Sequence, residues 1–276
     1  MNAAEIKALL QAHGLTPNRA LGQNFLVDEA AAAAIAEASG AAKFPVLEIG
    51  PGLGALTEAL LRLSSQVVAV EIDAAMVSIL KERFISAKNL LLRHEDFLDT
   101  DLDALKPLLG TQCTVAANLP YYVTTPICMK LLTSELPIAR MALMLQKEAA
   151  ERFTTLPGSR QYGPLTVLAQ RYYEVKTLMT LPPARYYPQP DVDSVVLTLC
   201  HRPDVSVLPA LPRILATAFS MRRKTLLNNL RSAGLSKESA EALLEQCSIS
   251  PAARAEALPP EAFARLAAQW EAEMSK

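Results

Sequence analysis

The sequence has few of the residues and segments that mark exported, membrane-spanning and metal-dependent proteins. It contains 4 cysteines, 3 histidines and 1 tryptophan in 276 residues. No uncharged apolar run approaches the roughly 20 residues that a membrane-spanning helix needs, and no charged-then-apolar leader stands at the start. The cysteines and histidines show neither metal-ligand spacing nor a disulfide framework. We therefore expect a cytoplasmic protein without a bound metal and without membrane contact.

Charge is unevenly distributed, although the formal net charge is only −1. The first 135 residues carry 10 basic and 15 acidic side chains, whereas residues 205–237 carry 6 basic side chains and no acidic one. Arg222, Arg223 and Lys224 are consecutive in that segment, and we expect a helix to hold them. A concentrated basic segment is typical of a surface that contacts nucleic-acid phosphates. The alternative is an exposed helix end that is simply solvated.

Short apolar runs alternate with helix-like stretches over the first two-thirds of the chain. This alternation is typical of an α/β protein with a doubly wound, mostly parallel sheet, and uninterrupted apolar runs fit strands buried on both faces. The last two runs are joined only by a proline-rich segment, which favours an antiparallel pair. The predicted strands are Val46–Ile49, Val67–Ile72, Leu90–Arg93, Thr114–Ala117, Ala139–Leu145, Tyr172–Leu181 and Ser194–Cys200.

The pattern becomes entirely helical near the C-terminus, where proline and glycine separate the segments. We therefore expect two domains, residues 1–203 and residues 204–276, the second small and all-helical. Helices are predicted between the strands at Ala55–Leu63, Ala74–Phe84 and Pro126–Thr133, and in the second domain at Leu208–Phe219, Arg222–Arg231, Lys237–Gln246 and Pro260–Glu273.

A glycine-rich turn joins the first of these strands to the helix that follows. Gly50, Gly52 and Gly54 stand where the chain must turn sharply and let a ligand approach the backbone. The spacing differs from the dinucleotide pattern, which would place its third glycine at Ala55, and no Lys-Ser/Thr pair follows as in a phosphate-binding loop. The turn therefore indicates a nucleotide site of another kind.

Acidic residues follow the next two strands. Glu71 comes 21 residues after Gly50, at a strand tip where a carboxylate can accept hydrogen bonds from ribose hydroxyls. Asp96 and Phe97 follow the third strand, and an acid beside an aromatic suits an adenine, with its exocyclic amine and flat ring. The alternative is that Glu71 and Asp96 are only loop acids or helix caps.

The fourth strand leads into the most informative stretch of the chain. Adenine N6 is a poor nucleophile because its lone pair is delocalised into the ring, and two acceptors for its hydrogens would favour a localised lone pair. An asparagine side-chain oxygen and the next backbone carbonyl can supply those acceptors, a proline can fix the backbone, and a tyrosine can stack on an extruded base. These residues are Asn118, Leu119, Pro120 and Tyr121.

These motifs resemble the ribosomal small-subunit RNA adenine N6,N6-dimethyltransferase family, the kasugamycin-resistance methylases. The resemblance covers nearly the whole chain, and the large-subunit adenine methylases are less similar in the proline-rich loop and the C-terminal helices. Its motifs are Leu21–Leu26, Glu48–Gly54, Asn118–Tyr121, Leu145–Glu148, Tyr162-Gly163, Pro182-Pro183, Val192–Ser194 and Arg222–Leu226.

The resemblance implies a Rossmann-like methyltransferase sheet of seven strands, the last reversed, and S-adenosylmethionine as the cofactor. Asn24 and Leu26 would close over the cofactor and Gly50 would lie against its methionine part. Glu71 would bind the ribose, Asp96 the adenine, and Asn118 would face the target amine. Tyr186 stands where relatives often place a phenylalanine against the target base.

The implied substrate is a pair of adjacent adenines in a hairpin near the 3′ end of small-subunit RNA, methylated by a monomer within a pre-assembled 30S-type particle. Three alternatives remain open: a methylase of large-subunit RNA or DNA adenine, a non-catalytic RNA-binding assembly or transcription factor, and an NAD-dependent dehydrogenase. The sequence lacks the glycine spacing of a dehydrogenase, and an enzyme of that class would not require the residues Asn118–Tyr121.

Overall fold

The computed structural model describes residues 1–274, which fold into two compact units. The first is Met1–Ala150 with Val175–His201, and the second is Glu151–Glu174 with the chain from Arg202 onward. The candidate cofactor residues therefore all fall in the first unit.

A seven-stranded sheet forms the core of the first unit. Its strands are β2 Val46–Ile49, β3 Val67–Glu71, β4 Leu90–His94, β5 Cys113–Asn118, β6 Ile138–Gln146, β7 Tyr173–Leu181 and β9 Ser194–His201. They lie in the order β4-β3-β2-β5-β6-β9-β7. Neighbours are parallel from β4 to β6, and β9 runs antiparallel to β6. This confirms the predicted Rossmann-like α/β class with a reversed last strand.

Burial along the strands follows from their place in the sheet. Every residue of β2 and β3 is buried, as expected for central strands with helices on both faces. The edge strands β4 and β7 contain exposed and half-buried positions. The apolar runs of the sequence therefore predicted the central strands best, because those strands have no solvent-facing side.

Helices of the first unit occur at the predicted places. Asp28 and Asp73 begin two of them, since each carboxylate accepts a hydrogen bond from a backbone amide in the first turn. The helix bounds agree with the three predicted ones to within two residues. Those before the second unit are α1 Ala3–Ala12, α2 Glu29–Ser39, α3 Ala55–Leu63, α4 Ala74–Arg83, α5 Lys106–Leu109 and α6 Thr124–Leu132, and α7 Lys147–Thr154 spans the division between the units.

A second, two-stranded sheet joins distant parts of the first unit. Strand β1, Phe25–Leu26, pairs antiparallel with β8, Tyr186–Tyr187. Leu26 lies opposite Tyr186 in this pairing, and both side chains are buried. The segment before α2 is thereby fastened to the proline-rich connection between β7 and β9.

The second unit consists mainly of helices. They are α8 Pro164–Tyr172, α9 Leu211–Ala218, α10 Leu226–Ser232, α11 Lys237–Gln246 and α12 Pro260–Met274. Helix α8 packs against α9 and α12. This packing explains why residues 151–174 group with the C-terminal helices, so the unit is larger than the predicted domain 204–276. The division at residue 203 stays a prediction.

The predicted helix Arg222–Arg231 was wrong at its start. Helix α10 begins at Leu226 because Thr225 caps it, with the Thr225 hydroxyl oxygen accepting from Asn228 N at 3.3 Å. Arg222, Arg223 and Lys224 lie in the turn before the helix, which we call the basic turn.

Candidate active site

A cavity opens at the carboxyl ends of β2, β3, β4 and β5, where a doubly wound sheet usually binds its ligand. Its empty space, counted together with the adjoining open solvent, is about 1210 Å³. The structure brings the predicted cofactor residues and the tetrapeptide together here, while their individual roles stay predictions. These lining residues are Asn24, Leu26, Gly50, Gly52, Glu71, Asp96, Phe97, Asn118, Leu119, Pro120 and Tyr121.

Glu71 ends β3, and its carboxylate holds the glycine turn. Its Oε2 accepts from Gly52 N at 2.9 Å and its Oε1 accepts from Asp73 N at 3.0 Å. Gly52 has a φ of +56°, a backbone conformation that favours glycine. Burial raises the pKa of Glu71, and the two amide hydrogen bonds lower it in part. A carboxylate with further lone pairs at this point is placed to accept from ribose hydroxyls.

Asp96 follows β4, and its two carboxylate oxygens can have different roles. Oδ1 accepts from Leu98 N at 2.8 Å and so caps the turn, as the alternative interpretation held. The second oxygen has no hydrogen bond to the described residues and can accept from an adenine amine. Phe97 beside it lines the same cavity and is only 4% exposed, so its ring is held in place by its surroundings.

Glu48 also lines the cavity, and the sequence interpretation did not single it out. It lies inside β2, and neither carboxylate oxygen has a hydrogen-bond partner within residues 1–274. Burial raises the pKa of Glu48 to about 8. An unpartnered buried carboxyl is costly, which points to a cationic group of a ligand. An acid inside an apolar strand was the signal available in the sequence.

The side chain of Asn118 is oriented by the segment that precedes α2. Its Nδ2 donates to the backbone carbonyl of Asn24 at 3.1 Å. Because a carbonyl can only accept, the amide oxygen of Asn118 points away from Asn24. Gln23 fastens the same segment, since its Nε2 donates to Asp73 Oδ2 at 2.7 Å. An acceptor oxygen of Asn118 is therefore available in the cavity that the side chain lines.

The backbone after Asn118 is fixed on two sides. Leu119 N donates to Met144 O at 3.1 Å, which ties the tetrapeptide to β6. The Pro120 carbonyl accepts from Thr124 Oγ1 at 3.0 Å in the first turn of α6. The Leu119 carbonyl consequently lies on a short segment held at both ends, as an acceptor for a reacting amine must be.

Three tyrosines near the tetrapeptide differ in exposure. Tyr121 is half-buried, and its hydroxyl lies 3.3 Å from Ser194 Oγ. Tyr186 is 2% exposed, its hydroxyl donates to Met144 Sδ at 2.7 Å, and burial raises its pKa. The ring of Tyr186 is therefore enclosed by its neighbours, and its contact with the target base stays a prediction. Tyr122, which the sequence interpretation missed, lines the cavity and is 55% exposed.

The basic turn belongs to the second unit. All three of its side chains are exposed, and Arg222 forms an ion pair with Glu256 at 3.3 Å. Lys224 lines an open cleft within this unit together with two further cations, Arg231 and Lys237. Both of these cations belong to the basic segment 205–237 of the sequence.

The part of the chain that the structure describes contains neither a candidate metal-binding cluster nor a membrane-spanning helix. Residues 1–274 contain no group of three or more His, Cys, Asp or Glu side chains that could hold a metal ion. No helix of the described chain is long and apolar enough to cross a bilayer.

The sheet order, with its reversed β9, and the cavity at the strand ends define a Rossmann-like methyltransferase. A family model described as "Ribosomal RNA adenine dimethylase" matches residues 14–271. The chain belongs to the ribosomal RNA adenine dimethylase family. It is therefore an enzyme that transfers methyl groups, and S-adenosylmethionine is its methyl donor.

Curated relatives are similar over almost their full length. A protein named "Ribosomal RNA small subunit methyltransferase A" from Shouchella clausii (strain KSM-K16) is 42% identical over 274 residues, which is 95% of this chain and 93% of the relative. A protein of the same name from Geobacillus thermodenitrificans (strain NG80-2) is 42% identical over 272 residues, with 94% and 93% covered.

Solved structures agree with this family. A dimethyladenosine transferase from Plasmodium falciparum has a TM-score of 0.73 and 26% identity, and the match covers 91% of this chain and 98% of that one. The 23S rRNA methyltransferase ErmE has a TM-score of 0.63 and 25% identity, with 90% and 100% covered.

The residues of the cavity fit S-adenosylmethionine. The cofactor carries a positive charge, and the orphaned carboxyl of Glu48 is a buried group that such a charge would satisfy. It also carries a ribose and an adenine, for which Glu71 and Asp96 each have a free acceptor position.

Proposed function

We propose that this enzyme dimethylates the N6 amines of two adjacent adenines in a hairpin near the 3′ end of small-subunit ribosomal RNA. It would do so as a cytoplasmic monomer acting on a pre-assembled 30S-type particle. Membership of the adenine dimethylase family supports the reaction, which is dimethylation of adenine. The relatives named as small-subunit methyltransferases, at 42% identity, support small-subunit RNA as the substrate.

The observation that carries the proposal is the orientation of Asn118. Its Nδ2 donates to the carbonyl of Asn24, which turns the amide oxygen away from Asn24 and leaves that oxygen available to accept from a ligand. An acceptor suits an exocyclic amine and does not suit a ring nitrogen that itself accepts. The Leu119 carbonyl supplies a second acceptor on a backbone held by Met144 and Thr124.

The residues around the target base divide the work of the reaction. The bound cofactor supplies an electrophilic methyl group. Asn118 Oδ1 and the Leu119 carbonyl accept the two amine hydrogens, which favours a lone pair localised on N6 and aimed across the cavity. Tyr121 offers its ring for stacking, with its hydroxyl placed by Ser194. No residue has to remove a proton first, because the nitrogen can lose it to water after the transfer.

The basic turn is proposed to contact RNA phosphates. Arg223 and Lys224 are exposed and form no ion pair within the described residues, whereas the charge of Arg222 is partly offset by Glu256. Exposed cations without acidic partners are the side chains that displace counterions from an RNA backbone. Arg231 extends this positive surface along the cleft of the second unit, whereas the charge of Lys237 is partly offset by Glu241 at 3.8 Å.

A second candidate is methylation of large-subunit RNA. It is favoured by the likeness to ErmE, whose TM-score of 0.63 covers 90% of this chain. The identity to ErmE is 25%, against 42% for the small-subunit relatives, so the small-subunit substrate is preferred. A non-catalytic RNA-binding factor would have no need for the held acceptors at Asn118 and Leu119.

The test is incorporation of methyl label into ribosomal particles that lack the modification. Purified enzyme and labelled S-adenosylmethionine are incubated separately with small subunits, large subunits and free RNA. We expect rapid labelling of small subunits only. Labelling of large subunits instead would favour the second candidate, and RNA binding without any labelling would favour the non-catalytic factor.

A further inference from the structure

Lys130 lies on α6 and reaches the loop that follows β4. Its Nζ donates to the backbone carbonyls of Leu98 and Thr100, both at 2.7 Å. The same nitrogen lies 5.6 Å from the centroid of the Phe97 ring. A single half-buried ammonium group therefore contacts three neighbouring parts of one loop.

The chemical surroundings of this ammonium group are unusual for a lysine. Within residues 1–274 no carboxylate forms an ion pair with it, so carbonyl oxygens and an aromatic face alone compensate its charge. An ammonium has three donors, and two of them are used on the loop. A cation on the face of a phenylalanine adds an attraction that strengthens as water is excluded. These contacts fix the loop. Lys130 forms no surface salt bridge within the described residues that would give it another structural role.

The loop that Lys130 holds carries the adenine end of the cavity. Asp96 and Phe97 line the cavity. The Asp96 carbonyl accepts from Thr100 N at 3.0 Å and from Thr100 Oγ1 at 3.1 Å. The loop is therefore a closed turn. The two carbonyls that accept from Lys130 belong to Leu98 and Thr100, two and four residues after Asp96.

The helix that carries Lys130, α6, is in turn connected to the tetrapeptide. Helix α6 begins shortly after the tetrapeptide, and Thr124 in its first turn binds the Pro120 carbonyl. Ile127, about one turn before Lys130, lines the cavity. Lys130 thus joins the helix that starts at the tetrapeptide to the loop that starts at the adenine site.

We propose that Lys130 is a positioning residue: its ammonium sets the Asp96–Phe97 loop relative to the tetrapeptide and so determines how tightly the enzyme binds the adenine end of S-adenosylmethionine. The proposal rests on the cofactor assignment and is independent of which RNA is methylated.

The test compares ligand affinity in three variants by calorimetry. Lys130→Met removes the donors and keeps most of the length, Lys130→Arg keeps charge and donors, and Lys106→Met is the matched control. Lys106 forms ion pairs with the exposed carboxylates of Asp103 and Glu135. The probes are S-adenosylhomocysteine and 5′-methylthioadenosine, which lacks the amino-acid part.

Lys130→Met is expected to weaken both probes by the same factor, about 10-fold, since charged hydrogen bonds that order the adenine site are lost. Lys130→Arg should recover part of this loss, and Lys106→Met should stay within about 2-fold of the wild type. In the ligand-free enzyme, hydrogen exchange at amides 96–100 should accelerate in Lys130→Met alone. The KM for the cofactor should rise while the KM for RNA is unchanged.

Unchanged affinity for both probes in a folded Lys130→Met enzyme would overturn the proposal, as would a loss seen with S-adenosylhomocysteine but not with 5′-methylthioadenosine. Circular dichroism checks the fold, and Lys130→Gln, which keeps donors without the charge, replaces the Met variant if that one does not fold. Because calorimetry uses no RNA, a wild-type enzyme that binds the probes but labels no ribosomal RNA would contradict the proposed function alone.

Discussion

The cavity of the first unit and the basic turn of the second differ in how their polar groups are held. In the cavity, Asn118 and Glu71 are fixed by hydrogen bonds to backbone atoms of Asn24 and Gly52. In the basic turn the side chains are exposed, and only Arg222 is paired within the described chain. Fixed geometry suits discrimination between atoms of a ligand, whereas exposed charge suits contact with a repeated phosphate backbone.

The largest effect is expected from substitutions that remove the fixed hydrogen-bond geometry at Asn118. Asn118→Ala should fold, bind cofactor and lose about 100- to 1000-fold in turnover, as expected for one preorganised polar group. Asn118→Asp should be as poor as Ala, because a carboxylate cannot donate to the Asn24 carbonyl and would repel it. Single-turnover methylation of unmodified small subunits measures both rates. An Asp variant clearly faster than the Ala variant would show that the bond to Asn24 is dispensable.

The second effect concerns Glu71, which holds the glycine turn and is expected to bind the ribose of the cofactor. Glu71→Ala should weaken S-adenosylmethionine binding by about 10- to 100-fold, since it removes a charged acceptor and leaves Gly52 N unpaired. Calorimetry measures the affinity, and Asp103→Ala, which changes an exposed acid, is the control. A folded Glu71→Ala enzyme with wild-type affinity would remove Glu71 from the site.

A third effect should appear only in the second unit. Replacing Arg222, Arg223 and Lys224 by alanine should flatten the slope of log affinity for RNA against log salt, by about 0.7–0.9 for each phosphate that is no longer neutralised. Arg222→Ala alone should change the slope least, because Glu256 already offsets its charge. Titrations at several salt concentrations measure the slope, and cofactor affinity should not change. An unaltered slope would make the turn a solvated surface.

The smallest effect is a pH dependence from Glu48. Its folded-state pKa, about 8, is above the ordinary value of 4.5, so its contribution to stability is present in full below pH 4.5 and is lost as the pH rises through 8. The ligand-free enzyme should therefore melt at lower temperature at pH 9 than at pH 6, and Glu48→Gln should lack this component. Scanning calorimetry of both proteins measures it. Parallel melting curves across this range would contradict the buried, ligand-free carboxyl.

The same contrast separates the features that the sequence could predict from those that it could not. The meeting of Glu71, Asp96 and Asn118 was predictable because parallel strands end at one edge of the sheet, so a motif after each strand must meet its neighbours there. The bond between Asn118 and Asn24 was not predictable, since it joins residues 94 positions apart. The burial of Tyr186 likewise depends on the pairing of β1 with β8.

A local signal for the start of α10 was present in the sequence, but the predicted helix Arg222–Arg231 extended across it. Thr225 is a good helix cap, and its place directly before Leu226 was a signal that the helix begins after the basic turn. The charge pattern correctly identified an exposed basic segment, because exposure of consecutive cations follows from their hydration alone.

The nucleoside composition of the product tests the proposed methylation of adenine N6 most directly. Small subunits that lack the modification are methylated to completion, and the labelled bases are mapped and identified by mass spectrometry. We expect N6,N6-dimethyladenosine at two adjacent positions of a hairpin near the 3′ end, formed by the wild type and not by Asn118→Ala in the same time. Methyl groups on another base, on another atom of adenine, or formed equally fast by Asn118→Ala would contradict it.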